Sequence, residues 1–213
     1  MDWILNNLPR IADLTLAHLL LSLPAVGAAF LIALPIAWAA NRVRPVREFV
    51  VSGTGLLYAV PSLPLFIVLP IILGTGVRDT FNVIVALTIF GLALMVRSAA
   101  DGLDSVDSGV RLASTAVGYS PVKRFFTVEL PLAGPALLAG LRVVSVSTIS
   151  LVSVSAVLGV QSLGSLFTDG FERGIVPSIA AGIVLTAVLA LALDLLLIAV
   201  GRVTMPWAVA SRA

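Results

Sequence analysis

The chain is poor in the side chains that carry out chemistry. Among its 213 residues there is no cysteine, His18 is the sole histidine and Lys123 the sole lysine. Metal centres draw on clusters of Cys, His and carboxylate ligands, and thiol chemistry needs a cysteine, so neither kind of site is expected. A phosphate-binding loop requires Gly-x4-Gly-Lys-Ser/Thr. Lys123 follows Pro121-Val122 and precedes Arg124, which excludes that route to ATP. No cofactor is expected, and any energy source must lie in another subunit or in an ion gradient.

What remains is a set of polar or helix-breaking residues in apolar surroundings. Pro61 and Pro64 flank Ser62 inside an apolar run. Each removes a backbone donor and kinks or breaks a helix. At membrane depth such a break is tolerated where it faces protein or a water-filled path, so it reads either as a path-lining element or as a packing kink. Ser145, Ser147, Thr148, Ser150, Ser153 and Ser155 crowd a second run. Small hydroxyls let membrane helices approach closely; alternatively, of the two stripes Ser147 with Ser150 and Thr148 with Ser155, one packs while the other faces a polar path. Asp194 stands among leucines, where an ionised carboxylate is costly unless paired. An ion pair with Arg142 or Arg202 competes there with a coupling role. Asp101, Asp104 and Asp107 would share a helix face and read as a solvated surface with a cap, lacking the alternating ligands of a calcium loop. His18, with no second histidine, suits packing or an interface better than ligation.

The elements that position these residues follow from composition. Apolar residues make up 59% and charged residues 11%, far from the roughly 25% charged residues of soluble domains, and the mean hydropathy is +1.12. The chain reads as an all-α membrane protein. Apolar runs long enough to cross a bilayer, about 20 residues each, fall at about 14–40, 49–73, 81–96, 136–159 and 178–201. Five spans leave no room for a soluble domain, so 1–213 is expected to be a single transmembrane domain. The first run is longer than a signal-peptide core and its positive charge follows it, so cleavage is not expected.

Assigning loops alternately to two sides puts Arg42, Arg44, Arg47, Arg97, Arg111, Lys123, Arg124, Arg142, Arg202 and Arg212 on one side, with only Arg10, Arg78 and Arg173 on the other. Ten against three places the amino terminus outside and the carboxyl terminus in the cytoplasm. The basic residues are scattered through short loops, so the net charge of +2 reflects membrane orientation among lipids and no nucleic-acid partner is expected.

The one long polar segment, about 97–135 between the third and fourth spans, faces the cytoplasm on this assignment. Asp107 or Ser108 can cap a first short helix and Gly118 can close it in the left-handed conformation. Ser120-Pro121 is an N-cap and first-turn pair for a second helix, which Pro131 is expected to end. Val122, Phe125, Phe126 and Leu130 supply its apolar face.

These residues resemble the transmembrane permease subunits of ATP-binding-cassette importers. The family's cytoplasmic loop carries Glu-Ala-Ala-x3-Gly-x9-Ile-x-Leu-Pro. Here Gly118 stands ten residues before Val128, followed by Glu129, Leu130 and Pro131, while the first half reads Leu112-Ala113-Ser114 and lacks the acid. Likeness extends along the chain through Thr15-Leu-Ala-His18-Leu, Ala59-Val-Pro-Ser-Leu-Pro64, Val96-Arg-Ser, Asp101-Gly-Leu-Asp-Ser-Val-Asp107, Leu138-Ala-Gly-Leu-Arg142, Leu163-Gly-Ser-Leu, Asp169-Gly-Phe and Asp194-Leu-Leu-Leu. It is similar in this to the osmoprotectant branch, the permeases for glycine betaine, choline and carnitine.

The resemblance implies a cell-membrane subunit that pairs with a second permease, identical or sister, above two ATPase subunits that perform all ATP hydrolysis. An extracytoplasmic binding protein would deliver the solute. It further implies that the loop is a coupling helix, with Leu112, Ala113, Ser114, Gly118, Val128, Leu130 and Pro131 at the ATPase contact. Pro61, Ser62, Pro64, Ser147 and Ser150 become the candidates for the translocation path. An importer for methionine or a sulfonate is the runner-up, and half of a gradient-driven transporter would require inverted repeats or paired intramembrane acids.

Overall fold

A computed structural model describes residues 2–207, and among them the regular structure is helical. A short α1 (Asp2–Asn6) precedes α2 (Leu8–Ala40); then come α3 (Arg44–Leu57), α4 (Ser62–Leu73), α5 (Thr80–Asp104), α6 (Ser108–Ala116) and α7 (Pro121–Arg124). A π-helical turn at Phe125–Glu129 leads into α8 (Leu130–Val152), which tightens to a 3₁₀ turn at Ser153–Leu158 before α9 (Gly164–Glu172) and α10 (Val176–Thr204). Four helical stretches are long and apolar enough to cross a membrane: α2, α5, the run Pro121–Leu158, and α10.

Helices α2, α5 and α8 form the centre. Lipid offers no hydrophobic drive for association, so membrane helices gain by close backbone approach along small residues. Ala25, Ala29, Ala33 and Ala37, spaced four apart on α2, are all fully buried. A Cβ at Gly91 of α5 would lie 2.7 Å from the Ala29 Cβ, and one at Gly140 of α8 would lie 2.5 Å from the Ser98 Cβ. Neither position has room for a side chain, so the α2–α5 and α5–α8 contacts are set by glycine. Met95, Val96, Leu103, Phe125, Leu137 and Val144 fill the remaining space. By contrast α10 buries only Ser178, Ala181, Gly182 and Gly201 and shows a broad aliphatic face from Ile183 to Val203.

The run expected to cross at 49–73 is two helices. α3 and α4 meet at 100°, and at 1.5 Å per residue neither reaches the roughly 30 Å of a bilayer core. Pro61 is the cause. Its ring excludes Val60 from the helical region, and Pro61 itself is extended, with φ −61° and ψ 133°, as the N-cap of α4. Tyr58, Ala59 and Val60 close α3 with three successive short-range bonds to Gly55, Leu56 and Leu57. Pro64 breaks nothing, because it sits in the first turn of α4, where its missing N–H would have no intrahelical partner.

Two helix boundaries lie beyond the local sequence signals. The third helix continues past the apolar run at 81–96 and Arg97 to Asp104, because a span leaving the membrane can stay helical through its solvated turns. Nor does Pro131 end the second loop helix. The π turn directly before it shifts the hydrogen-bond register, with the N–H of Leu130 reaching the carbonyl of Phe125, and the chain runs unbroken from Pro121 into α8. Of the apolar face expected there, Phe125 is buried and Leu130 half-buried, whereas Val122 and Phe126 are exposed.

Candidate functional site

The loop between α5 and α8 is a preformed two-helix unit. The Asp107 carboxylate accepts from the Val110 N–H at 3.1 Å, capping α6. Gly118 has φ 91°. Across it the N–H of Tyr119 donates to the Ser114 carbonyl at 3.1 Å, and its own N–H to Thr115 at 2.9 Å, the paired bonds of a Schellman closure. Ser120 Oγ accepts from the Lys123 N–H at 3.3 Å and starts α7.

Arginines fasten the unit. Arg124 Nε donates to Glu129 Oε1 at 2.7 Å, and its Nη1 donates to Thr115 Oγ1 at 2.9 Å, joining α6 to the π turn. Arg111 Nη2 donates to the Leu103 carbonyl at the end of α5. The expected coupling residues divide between two zones. Leu112, Ala113 and Gly118 are exposed and Ser114 half-buried on the α6 side, whereas Val128, Leu130 and Pro131 are half-buried in the stalk that returns to α8. Leu112 is 71% exposed and Val117 77%, so the surface offered by α6 is apolar at the position where the importer family carries its acid.

The candidate path residues lie on two separate elements. Pro61, Ser62 and Pro64 occupy the start of α4, which rests chiefly on α5. Pro61 and Pro64 are exposed and Ser62 half-buried. On α8, Ser150 is exposed and Ser147 half-buried, while Ser145 and Thr148, and Ser155 in the following 3₁₀ turn, are buried. The hydroxyls therefore separate into an inner stripe and an outer one. Ser145 and Ser155 donate to carbonyls three or four residues back, which satisfies them within the packed stripe.

His18 holds a feature that sequence reasoning missed. Where α8 tightens, the N–H of Ser153 turns to the carbonyls of Ser150 and Leu151, and the Ile149 carbonyl lies 2.9 Å from His18 Nε2. The N–H of Leu163, just before α9, donates to His18 Nδ1 at 3.3 Å. Since Nδ1 accepts, Nε2 carries the proton and donates. One buried imidazole thus satisfies two backbone groups freed by the irregular stretch between α8 and α9. No signal short of the fold could have shown this, because both partners are backbone atoms more than 100 residues away.

Ion pairs tie the periphery to the centre. Arg142 on α8 holds Asp194 on α10 through Nε to Oδ1 at 2.6 Å and Nη2 to Oδ2 at 2.8 Å, which selects Arg142 over Arg202 as the partner. Arg10 pairs with Asp169 of α9, and Arg47 of α3 with Asp101. Of the three spaced aspartates, Asp101 is in that pair and Asp107 is the cap. Among the described residues no three His, Cys, Asp or Glu side chains gather as a metal site would require.

A set of membrane-length helices around a glycine-packed centre, with a capped two-helix loop between two of them, defines a multi-pass membrane protein. The chain belongs to the family of binding-protein-dependent transport system inner membrane components, whose model matches residues 25–205. It is a permease subunit of an importer. It is 30% identical to the osmoprotectant import permease protein OsmW of Salmonella typhimurium over 92% of this chain and 93% of that one. It is 27% identical to the glycine betaine/carnitine/choline transport system permease protein OpuCD of Bacillus subtilis, over 84% of this chain and 78% of that one. Among solved structures, a chain of the MetNI methionine transporter in an inward-facing form superposes with a TM-score of 0.82 at 19% identity, covering 96% of this chain and 99% of that one. At that identity the likeness concerns the fold.

Proposed function

We propose that the chain, acting as one transmembrane domain, forms half of the translocation path of an ATP-driven importer for a compatible solute of the glycine betaine, choline or carnitine kind. Two copies, or this chain and a sister permease, enclose the path, and ATPase subunits beneath them hydrolyse ATP. An extracytoplasmic binding protein supplies the solute. The observation that carries this reading is the α6–Gly118–α7 unit, rigid by its caps and by Arg124, and continuous with α8.

Continuity gives it a mechanism. A push on α6 and α7 passes through the π turn into the membrane-spanning part of α8 without a hinge, and through Arg142 to α10. Leu112, Ala113, Ser114 and Gly118 would form the docking surface, and Val128, Leu130 and Pro131 the lever. Rocking of the helices about such a unit is the rigid-body form of alternating access. The start of α4 at Pro61, Ser62 and Pro64, and the outer stripe of Ser147 and Ser150, leave polar backbone and hydroxyl groups unburied in one subunit, as expected for walls that meet a path or a second permease. Arginine and lysine distribution supports placing the loop and the carboxyl terminus in the cytoplasm.

Proteoliposomes containing the chain with its cognate ATPase and binding protein test the reading. Uptake of labelled glycine betaine, choline or carnitine that requires internal ATP and loaded binding protein is expected. ATP-dependent uptake of methionine or a sulfonate in their place would move the substrate to the runner-up, and uptake driven by an ion gradient without ATP would overturn the reading.

A further inference from the structure

At the end of α8 remote from the two-helix loop, His18 and Ser153 compete for one carbonyl. In an unbroken α-helix the Ile149 carbonyl would accept from the N–H of Ser153, four residues on. Here that N–H turns to Ser150 and Leu151, the run Ser153–Leu158 winds as 3₁₀ helix, and the Ile149 carbonyl faces His18 Nε2 at 2.9 Å. The Ser153 hydroxyl is buried without a hydrogen-bond partner. In a helix its usual acceptor is again the carbonyl four residues back, as Ser145 shows by donating to Leu141 at 2.7 Å. The tighter winding thus turns both donors of Ser153 away from the acceptor that His18 holds.

A buried hydroxyl without a partner costs free energy, and a 3₁₀ run of six residues exceeds the usual three or four and marks a hinge or a sequence under strain. A second arrangement of the same residues removes both costs. Wound as α-helix, the run brings the N–H and hydroxyl of Ser153 to the Ile149 carbonyl, and His18 gives that carbonyl up. We propose that Ser153–Leu158 is a two-state element, latched in the 3₁₀ form by His18 and released into an α-helical form when the Ile149 carbonyl passes from His18 to Ser153. The latched form is closed by Gly159, left-handed at φ 81°, whose N–H donates to Ala156 at 3.0 Å while the N–H of Val160 donates to Ser155 at 3.2 Å. The released form needs no positive φ at Gly159 and loosens the turn that follows it. One set of bonds replaces another, which keeps the two forms close in free energy.

The motion is large at the residues just beyond. A 3₁₀ helix has 3.0 residues per turn and rises about 2.0 Å per residue, against 3.6 and about 1.5 Å for an α-helix, so over six residues the end turns by about 120° and draws in by about 3 Å. Gly159 and Gln161 line two cavities that flank this end, one of about 410 Å³ with Arg10, Asp13 and Thr168, the other of about 420 Å³ with Leu20, Arg78 and Ile84. Moving their shared wall changes both. The start of α9 follows, because Gly164 leaves no room for a Cβ against the Ser153 carbonyl. On the reading that the chain forms half of a translocation path, this element is a gate at the end away from the coupling loop. The gating role rests on that reading; the two forms do not.

The test exploits the single histidine. The full chain, without a histidine tag, is labelled isotopically in its histidine nitrogens and isoleucine carbonyl carbons and reconstituted in proteoliposomes with its unlabelled cognate ATPase and binding protein. Dipolar coupling between the two labels, read by solid-state NMR, reports the contact of His18 with Ile149. It should be present without nucleotide and fall when loaded binding protein, ATP and vanadate trap the assembly. Ser153→Ala removes a hydroxyl that only the released form satisfies. It should raise the thermal midpoint, preserve the coupling in both conditions and lower uptake about fivefold, the worth of one hydrogen bond. Gly159→Ala acts in the opposite direction, since its Cβ meets only the Arg78 side chain but strains the left-handed closure; the coupling should fall even without nucleotide. Coupling that is the same in both conditions and in both variants, or wild-type uptake in Ser153→Ala, would overturn the proposal. Wild-type vesicles that show no ATP-dependent uptake would count against the permease reading instead, and the opposite shifts of coupling in the two variants would still decide the switch.

Discussion

The Asp194 carboxylate takes both prongs of the Arg142 guanidinium, and this contact joins α10 to α8 midway along a helix that buries few side chains. α10 is also held where Ser178 Oγ donates to the Leu166 carbonyl at 2.9 Å, where Leu185 and Leu189 pack on the cluster of Leu14, Leu163 and Leu166, and where Gly201 abuts Leu138. A charge left without its partner in such surroundings is more harmful than no charge at all. Asp194→Asn and Arg142→Leu should therefore each lower the yield and the thermal midpoint of the purified protein. The double variant Arg142→Leu/Asp194→Leu should recover most of the loss. Equal damage in the double and single variants would show that the pair contributes through something other than charge compensation.

His18→Leu should leave the Leu163 N–H and the Ile149 carbonyl buried without partners, at a cost of about 1–3 kcal/mol for each group. Protection of the amides between 153 and 164 from hydrogen exchange should fall, while those of α5 keep theirs. His18→Gln, which can donate to one group and accept from the other, should restore part of the protection. Uniform loss across the chain would assign His18 to general packing.

Pro61 and Pro64 should behave differently although they are three residues apart. Pro64→Ala restores an N–H that would have no intrahelical partner, so uptake should stay near wild type. Pro61→Ala removes the restriction on Val60 and lets α3 and α4 approach a continuous helix, so uptake should fall while membrane insertion persists. Equal uptake in both variants would assign the bend to packing alone.

The features of the loop that could be read in the chain were those whose causes are local. Asp107, Gly118 and Ser120 each act within a few residues through a cap or a left-handed turn, and the structure has them in those places. The register shift that carries the chain through Pro131 was hidden, because Phe125 at its start packs on Trp38 of α2, a contact no local pattern announces. The end of the apolar run at Val96 and the end of α5 at Asp104 are separate points. Arg97 marks where a helix meets water, and that is a different point from where it stops. Asp194 announced its need for a partner through its apolar neighbours, yet only the crossing of α8 and α10 selects Arg142. The angle between α3 and α4 lay in no single residue, even though Pro61 located the break.

Orientation can be checked on a background free of cysteine. Val77, exposed between α4 and α5, and Ser105, exposed after α5, lie at opposite ends of α5. A cysteine at Val77 should react with an impermeant thiol reagent on intact cells, and one at Ser105 only after permeabilisation. The reverse pattern would put the loop outside and remove its proposed partner.

The central claim is that the loop closed by Gly118 transmits ATPase motion to the spans. No atom lies within 4 Å of a Cβ built on Gly118, so a substitution there acts through backbone conformation and not through a clash. Gly118→Val places a β-branched residue in the left-handed region, a strain of about 1–3 kcal/mol, whereas Gly118→Asn is tolerated there. The deciding measurement is ATP hydrolysis stimulated by loaded binding protein, recorded alongside uptake in the same proteoliposomes. Gly118→Val should depress both together, with insertion intact, and Gly118→Asn should retain both. Wild-type stimulated hydrolysis and uptake in Gly118→Val would contradict the account.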